Sequence, residues 1–486
     1  MSVVGPLTAG VVALPAIGAL AVFLAEDGRE QRYWRITALT LSVTTLLTIA
    51  LAALLVLDGP IVYRPLAVPI GIAFSLDVLS VTVGLLDVML KLGILCYTRT
   101  AGPHSGRFHV SFLLFTTAVF GVVFSGDLVA TGGFLLVLIV ATGRLVAESD
   151  KTGARDVARG YRRTATLGAT AYVVGVALAA WLGGSTDNER LATALAATGH
   201  AEPAVITAFV FISIGLALLA ALIPLHGWLV ETHARTTDPV SALVSGVLPA
   251  APVYALVRIL YDVFTIDFLA ANPPIATGML YGALVSLLLG NLLAYGQRDI
   301  KGVLAYSTVS QFGLVFAGLL VANETAIFGS VIQLFGHGIV KGAFCLVAGI
   351  IAIRFDARTM DEYNGLANRA PVVAAVFAGL GIALIGLPPT VGFVGKWYIA
   401  VGAFTEGFWL VTVFILASTV LTIGYVVPFL DRLYFGSFDG TDRGQAVVTT
   451  LMIVAIVTAV VISLVVGLAS VFLESLFRDA IEQLLA

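Results

Sequence analysis

This chain of 486 residues has little charge and almost no cysteine. Only 11% of its residues are charged, whereas a soluble domain carries about 25%. Together with 59% hydrophobic residues and a mean hydropathy of +1.03, this composition excludes an ordinary soluble protein. A net charge of −3 argues against a nucleic-acid partner. The two cysteines, Cys96 and Cys345, lie in separate apolar runs without a C-x-x-C or His/Cys cluster, which predicts buried thiols, no metal and no redox cofactor.

Lysine is also scarce, because 21 of the 26 basic residues are arginine. Three of the five lysines, Lys91, Lys341 and Lys396, interrupt otherwise apolar stretches. A lysine near the middle of a bilayer costs roughly 2.5–3.5 kcal/mol on insertion scales, so it rarely persists without a use. A desolvated ammonium can lose its proton, which a guanidinium in practice cannot. The pattern therefore indicates a protein that moves protons or cations across a membrane.

Apolar runs long enough to cross a bilayer recur along the whole chain and predict one all-α, polytopic membrane domain over residues 1–486. The first run has no basic leader and no convincing cleavage site, so it is read as a retained helix. Residues 475–486 mix apolar and charged side chains at helical spacing and predict a short interfacial helix. The fourteen predicted spans are 4–24, 33–57, 72–97, 109–126, 128–147, 161–182, 204–229, 240–262, 275–296, 301–321, 326–353, 371–404, 407–434 and 446–473.

The charges of the loops support this count. Most basic residues fall in odd-numbered loops, among them Lys151, Arg298 and Lys301, whereas even-numbered loops hold little beyond Arg64 and Arg190. A missed or extra span would scramble that alternation. The positive-inside rule then predicts that the odd loops are cytoplasmic and that both termini lie outside, in the plasma membrane of a prokaryote.

Two spans are interrupted by proline. The seventh contains Leu222–His226 (LIPLH) and the twelfth contains Gly386–Thr390 (GLPPT). Proline removes a backbone donor, and freed backbone groups at membrane depth persist only where they line protein or a wet cavity. Because the breaks are five spans apart, they predict two inverted five-helix repeats, residues 109–262 and 275–434, with ion sites at the broken helices. The alternative is a pair of ordinary proline kinks.

Several motifs in order resemble one family, the antiporter-like membrane subunits of Mrp-type cation/proton antiporters, respiratory complex I and membrane-bound hydrogenases. The resemblance covers residues 70–430 and is greatest to the Mrp D-type subunit around residues 307–311 and 386–396. It implies fourteen helices, partner subunits in a hetero-oligomeric complex, and a line of charged side chains that conducts protons. The motifs are Pro224–Leu229, Asp238–Leu243, Asp299–Gln311, His337–Lys341 and Gly386–Lys396.

The charges that the family places in the first repeat are missing here. The family's glutamate in helix 5 corresponds to Leu136, its lysine in helix 7 to Leu219, and its lysine in helix 8 to Ala250. Removing both members of a buried pair together avoids an uncompensated charge, which costs several kcal/mol. The resemblance therefore implies that the proton path of the first repeat is lost.

The second repeat keeps its set. The resemblance assigns a proton relay to Lys341, Lys396 and His337, and His337 lies four residues before Lys341 on the same helix face. The alternatives are a histidine bonded to a backbone carbonyl and paired structural lysines. Asp87 and Lys91 form a further pair, read as a self-neutralising ion pair against lipid or a partner subunit, or as a substitute proton carrier. The possible accessory residues are Asp87, Lys91, His226, Lys301 and Ser310.

Three functions remain open from the sequence. The first is a D-type subunit of a multisubunit Na⁺/H⁺ antiporter that conducts through its second repeat. The second is a non-conducting structural or regulatory paralogue in such a complex. The third is an ion-pumping membrane subunit of a complex I-like or hydrogenase-type oxidoreductase, which would make the chain part of an enzyme only by association.

Overall fold

The computed structural model describes residues 4–25, 30–63, 73–102, 104–149, 151–438, 440–444 and 447–485. Almost all of them are helical, so the prediction of an all-α membrane protein is confirmed. The one addition is a pair of short antiparallel strands, β1 Ile61–Tyr63 and β2 Phe74–Leu76. The helices are α1 Val4–Phe23, α2 Glu30–Asp58, α3 Val78–Thr98, α4 Gly106–Phe124, α5 Leu128–Ala147, α6 Ala154–Gly183, α7 Asn188–Thr198, α8 Pro203–Leu219, α9 Gly227–Arg235, α10 Asp238–Gly246, α11 Ala250–Arg258, α12 Thr265–Ala271, α13 Pro273–Tyr295, α14 Ile300–Val321, α15 Glu324–Phe355, α16 Pro371–Ile385, α17 Val391–Thr405, α18 Trp409–Phe435, α19 Thr450–Leu468 and α20 Ser470–Leu485.

The number of spans agrees with the sequence prediction. Within the described residues, twelve helical stretches are long and apolar enough to cross a membrane when Asp238–Ala271 is taken as one stretch with a π-turn at Ile259–Phe264. The shorter helices α8 with α9 and α16 with α17 supply the two broken spans. The short helix α7 was not predicted, and the tail forms α20, which packs on the bundle through Phe477.

Odd and even loops lie on opposite faces of the bundle. On the odd face, Arg235 Nη1 donates to Thr152 O (3.3 Å) and Arg443 pairs with Asp356. On the even face, Asn272 Nδ2 donates to His200 O (2.9 Å). The alternation of basic loops is therefore real among the described residues, whereas Arg64 lies outside them.

The inverted relation between the halves is visible in one repeated hydrogen-bond pattern. In the first half, Leu128 N donates to Thr186 O (2.9 Å) and Asn188 N donates to Gly126 O (3.0 Å) on the even face. In the second half, the same pair of bonds joins residues 298–300 to residues 358–360 on the odd face, at 3.0 and 2.8 Å. The same motif thus recurs upside down. The boundaries 109–262 and 275–434 stay a prediction.

Both proline motifs interrupt their helices completely. Residues 220–226 separate α8 from α9, and residues 386–390 separate α16 from α17, so ordinary proline kinks are excluded. Side chains bond to backbone groups beside the first break: Ser286 Oγ accepts from Ile223 N (3.0 Å), and Trp228 Nε1 donates to Leu218 O (2.9 Å). Beside the break in the twelfth span, Lys396 donates to the backbone carbonyls of Leu384 and Ile385.

Candidate proton path

Lys341 lies near the middle of α15 and is completely buried. Its ammonium donates to Ser307 Oγ and to Leu304 O (3.3 Å) of the neighbouring helix α14. Among the described residues, no carboxylate lies within ion-pair distance of Lys341 or Lys396. The alternative of paired structural lysines therefore lacks the partners that it requires.

Polar side chains continue from Lys341 along one face of α15 towards the even face. His337 and Gln333 follow at intervals of four residues, which corresponds to about 6 Å of helix per step. Gln333 Nε2 donates to Gln311 Oε1 (2.6 Å) of α14, and the ring of Phe312 packs edge-on against His337 at 5.2 Å. His337 Nε2, Gln311 Nε2 and Gln333 Oε1 have no hydrogen-bond partner in the described part of the chain. Buried polar atoms left unpaired in this way mark places where water or a mobile proton is accommodated.

Lys396 lies at the twelfth-span break, in the first half of α17. It is buried, and its ammonium donates to Ile385 O (2.7 Å) and Leu384 O (3.3 Å), two carbonyls at the end of α16. The break frees those carbonyls, so the proline motif explains why a lysine is held at this depth. Its neighbour Gly395 lies directly against Gln333. Lys396 is thus adjacent to the end of the polar line on α15.

At the odd face the line begins in a cavity of about 290 Å³ lined by charged residues. Lys301 Nζ lies 2.7 Å from Asp238 Oδ1 and donates to Thr236 O (2.8 Å) and Ser241 Oγ (3.2 Å). Lys151 lines the same cavity. Burial, with a contribution from the nearby Lys301, lowers the pKa of Lys151 to about 8.

Three residues that the sequence analysis missed connect this cavity towards Lys341. Ser245 Oγ lies 2.6 Å from His233 Nε2 and 3.2 Å from Thr308 Oγ1. Thr308 is the neighbour of Ser307, which contacts Lys341. The spacing of four between Ser241 and Ser245 is a weak signal that could have indicated this polar helix face. The contacts themselves depend on how α9, α10 and α14 pack.

Two predicted accessory residues lie off this line. His226 is the N-cap residue before α9; it is only partly buried, and its ring lies 6.0 Å from that of Tyr306. Ser310 donates to Leu287 O (2.8 Å) and so fixes α14 against α13.

The positions of the missing family charges all carry apolar side chains. Leu136 is 49% exposed on α5, whereas Leu219 is buried close to Gly168 of α6. Ala250 is fully buried at the start of α11.

Asp87 and Lys91 do form an ion pair, at 3.2 Å between Asp87 Oδ1 and Lys91 Nζ. Both side chains are completely buried between α3 and α4. The interpretation that this pair faces lipid or a partner subunit is therefore wrong, because the chain's own helices enclose it.

Comparison with known proteins agrees with this architecture. Residues 133–422 match the family model described as NADH:quinone oxidoreductase/Mrp antiporter, transmembrane. That match covers more than half of the chain. The chain belongs to this family.

Two sequence relatives are named as subunits of NADH-quinone oxidoreductases. NADH-quinone oxidoreductase subunit N of Desulforudis audaxviator is 33% identical over 376 residues, which cover 75% of this chain and 73% of the relative. Subunit M of Rhodobacter capsulatus is 30% identical over 254 residues, covering 50% of this chain and 49% of the relative.

Two solved structures share the fold. A chain in the structure of the Mrp complex from Dietzia sp. DQ12-45-1b superposes with a TM-score of 0.90 at 22% identity and complete coverage of both chains. A chain of the membrane-bound sulfane sulfur reductase, an archaeal respiratory membrane complex, gives a TM-score of 0.87 at 22% identity, covering 98% of this chain and 97% of the other.

Proposed function

We propose that this chain is the D-type subunit of a hetero-oligomeric Na⁺/H⁺ antiporter in a prokaryotic plasma membrane, and that it conducts protons through its second repeat. One observation carries the proposal. Lys341 and Lys396 are buried without any carboxylate partner in the described residues, and unpaired polar atoms join them. A purely structural lysine at this depth would be expected to have a counter-charge.

The order of groups suggests how a proton moves. From the odd-face cavity it passes Lys301 and Asp238 and reaches Lys341 by way of the hydroxyls of Ser245 and Thr308. Lys341 transfers it to the imidazole of His337, whose Nε2 has no hydrogen-bond partner in the described part of the chain. The remaining steps use the amides of Gln333 and Gln311 with water, then Lys396, and release at the even face. Lys341 or Lys396 accepts the next proton when its amine is neutral. Repulsion between the two ammonium groups causes the two lysines to be protonated in turn.

The first repeat contributes architecture to this mechanism. Leu136, Leu219 and Ala250 can carry neither charge nor proton, so the route used by other members of the family is closed here. Helices α9 and α10 of this half nevertheless supply His233 and Ser245 to the second-repeat path.

A second candidate function is favoured by the sequence relatives, which are subunits of NADH-quinone oxidoreductases. In that case the same path would serve as an ion pump driven by electron transfer in partner subunits. The two functions differ in the source of energy and not in the residues of this chain.

The deciding experiment measures proton movement in inverted vesicles that contain the whole complex, using a pH-sensitive dye. A pH gradient is imposed and Na⁺ is added with and without an electron donor. Na⁺-dependent proton movement without a donor supports the antiporter. A strict need for the donor supports the redox-driven pump and contradicts the antiporter. Proton movement that is unchanged in Lys341→Ala and Lys396→Ala would leave the structural paralogue as the function.

A further inference from the structure

The pair formed by Asp87 and Lys91 is unusual in how few hydrogen bonds its carboxylate receives. Lys91 Nζ donates to Thr116 Oγ1 (2.6 Å) and to Phe112 O (3.1 Å) of α4, and the ring centroid of Phe115 lies 4.2 Å away. The ammonium is therefore well held. Within the described part of the chain, neither carboxylate oxygen of Asp87 accepts a hydrogen bond. The contact of Oδ1 with Lys91 Nζ at 3.2 Å is therefore the main stabilisation of this carboxylate.

Other buried carboxylates of the same chain provide an internal standard. Asp127 accepts from Val129 N (2.8 Å), Ala130 N (2.9 Å) and Thr186 Oγ1 (2.5 Å) as it caps α5. Asp77 caps α3 through Ser80 N (2.7 Å) and pairs with Arg258. A buried carboxylate that stays ionised is surrounded by hydrogen-bond donors or cations in this way, because a buried charge without them costs several kcal/mol. Asp87 lacks the donors that hold those two carboxylates in their charged form.

The pair also lies at the depth of a missing family lysine. Helix α3 runs antiparallel to the α10–α11 segment: Arg258 meets Asp77 at one end, and Gly246 lies against Leu90 at the other. Ala250 falls between these two contacts, so it lies near the level of Asp87. A titratable pair on α3 thus occupies the level at which the first repeat has lost its own charge.

Polar groups lead from the odd face towards this pair. A second cavity there, about 870 Å³ in volume, is lined by Tyr33, Ser105, Arg107 and Glu148. One helical turn deeper on α2, Thr37 Oγ1 lies 3.0 Å from His109 Nδ1. His109 is buried, and on α4 it shares one face with Phe112 and Thr116, which contact Lys91.

We infer that Asp87 and Lys91 form a second proton-holding site, loaded from the odd face through Thr37 and His109. In the loading step, the imidazolium of His109 gives up its proton, an intervening water carries it, and a carboxylate oxygen of Asp87 binds it. Lys91 stays an ammonium and then faces a neutral acid. Unloading reverses the step. The inference rests on the proposed function, because it assigns the site to the same proton transport.

The test uses infrared difference spectroscopy on the purified whole complex during a pH titration. The expected result is a carbonyl-stretch band of a protonated carboxylic acid that disappears in Asp87→Asn and persists in the control Asp262→Asn. Asp262 is a fair control because it also pairs with a cation four residues away, Arg258, at 2.7 Å. An unchanged band in Asp87→Asn, or no such band in the wild type, would overturn the inference.

Exchange measurements separate this inference from the proposed function. The double variant Asp87→Leu/Lys91→Met removes both charges. Replacing a buried structural ion pair by apolar side chains of similar volume often leaves the stability of the fold unchanged or raises it. We expect the double variant to assemble and to slow Na⁺-dependent proton exchange at least about a hundredfold, the lower end of the range for positioned proton donors and acceptors.

Wild-type exchange in the double variant, with exchange lost in Lys396→Ala, overturns the inference and leaves the proposed function standing. Slow exchange in the double variant with normal exchange in Lys396→Ala overturns the second-repeat path and supports the α3 site. If the double variant does not assemble, the infrared comparison of Asp87→Asn with the wild type decides.

Discussion

At the scale of single residues, the buried cations divide by the partners that hold them. Arg258 is held by two carboxylates and Arg354 pairs with Asp442 (3.0 Å), so these guanidinium groups are fixed charges. Within the ranges that the structure describes, Lys341 and Lys396 are held by hydroxyl and carbonyl oxygens alone. Oxygen dipoles of this kind stabilise an ammonium without binding it irreversibly, which suits a group that must be charged and discharged in turn.

Lys151 lines the odd-face cavity in which the proposed path begins, and its charge state gives a prediction. Its pKa of about 8 means that it is charged below pH 8 and neutral above. The charge repels cations approaching Lys301 and Asp238, with Arg358 adding to the field. We expect Lys151→Gln to exchange faster than the wild type below pH 8, by about twofold at low salt, and equally fast above it.

Measuring the ratio of the two rates from pH 6.5 to 9.5 checks this expectation. Lys151→Arg is the control: it keeps its charge throughout, so its rate should fall below that of the wild type only above about pH 8. A ratio that does not change with pH would contradict the role of this side chain.

Some of these residue-level features follow from the sequence and others do not. The four-residue spacing of His337 and Lys341 places both on one face of α15, and this was predicted. The contact of Lys341 with Ser307 and the meeting of Gly395 with Gln333 were not predicted. These contacts depend on which helices are neighbours and how they are rotated, and periodicity within one helix carries no such information.

At the scale of elements, close helix packing brings the two repeats together. Gly246 of α10 and Gly338 of α15 meet backbone to backbone: a Cβ on Gly338 would lie 2.7 Å from Gly246 O. Because α10 carries Ser245 and α15 carries His337, this approach also sets the geometry of the path. Small residues permit such contacts in membrane bundles.

We therefore expect Gly338→Ala to lower the amount of assembled complex, or its melting temperature, because overpacking costs about 1–3 kcal/mol. Gly282→Ala on α13 is the matched control, since a Cβ there meets nothing within 4 Å. Equal stability of the two variants would show that α10 and α15 can separate freely.

The sequence also predicted elements unevenly. Proline located both helix breaks, because the missing donor and the ring leave few alternatives for the backbone. The helix α7 was missed because Asn188–Thr198 is short and only weakly apolar, and its buried residues Leu191 and Leu195 become significant only once it is packed. Ser310 lies in a predicted helix, but its side chain bonds to α13, and the sequence does not indicate this direction.

At the scale of the whole molecule, the bundle has one arginine-rich face and one poorer in basic groups. The odd loops carry the cavities of both polar lines, and the described ends of the chain lie towards the even face. The positive-inside rule predicts that the odd face is cytoplasmic. Both polar lines would then open to the same compartment.

Cysteine labelling tests this orientation. In a background with Cys96 replaced by alanine, Glu406→Cys on the even face should react with a membrane-impermeant thiol reagent in intact cells. Arg298→Cys on the odd face should react only in inverted vesicles. Both positions are exposed, and buried Cys345 should stay silent in either preparation. The reverse labelling pattern would contradict a cytoplasmic odd face.

The central claim is that protons cross this protein through Lys341 and Lys396. Its most direct test is Na⁺-dependent proton exchange in inverted vesicles with the whole complex, comparing the wild type, Lys396→Ala, Lys341→Ala and the off-path control Ser310→Ala. The account predicts that both lysine variants assemble but exchange at least about a hundredfold more slowly, while Ser310→Ala stays near the wild-type rate. Undiminished exchange in assembled Lys396→Ala and Lys341→Ala would show that ions cross elsewhere in the complex.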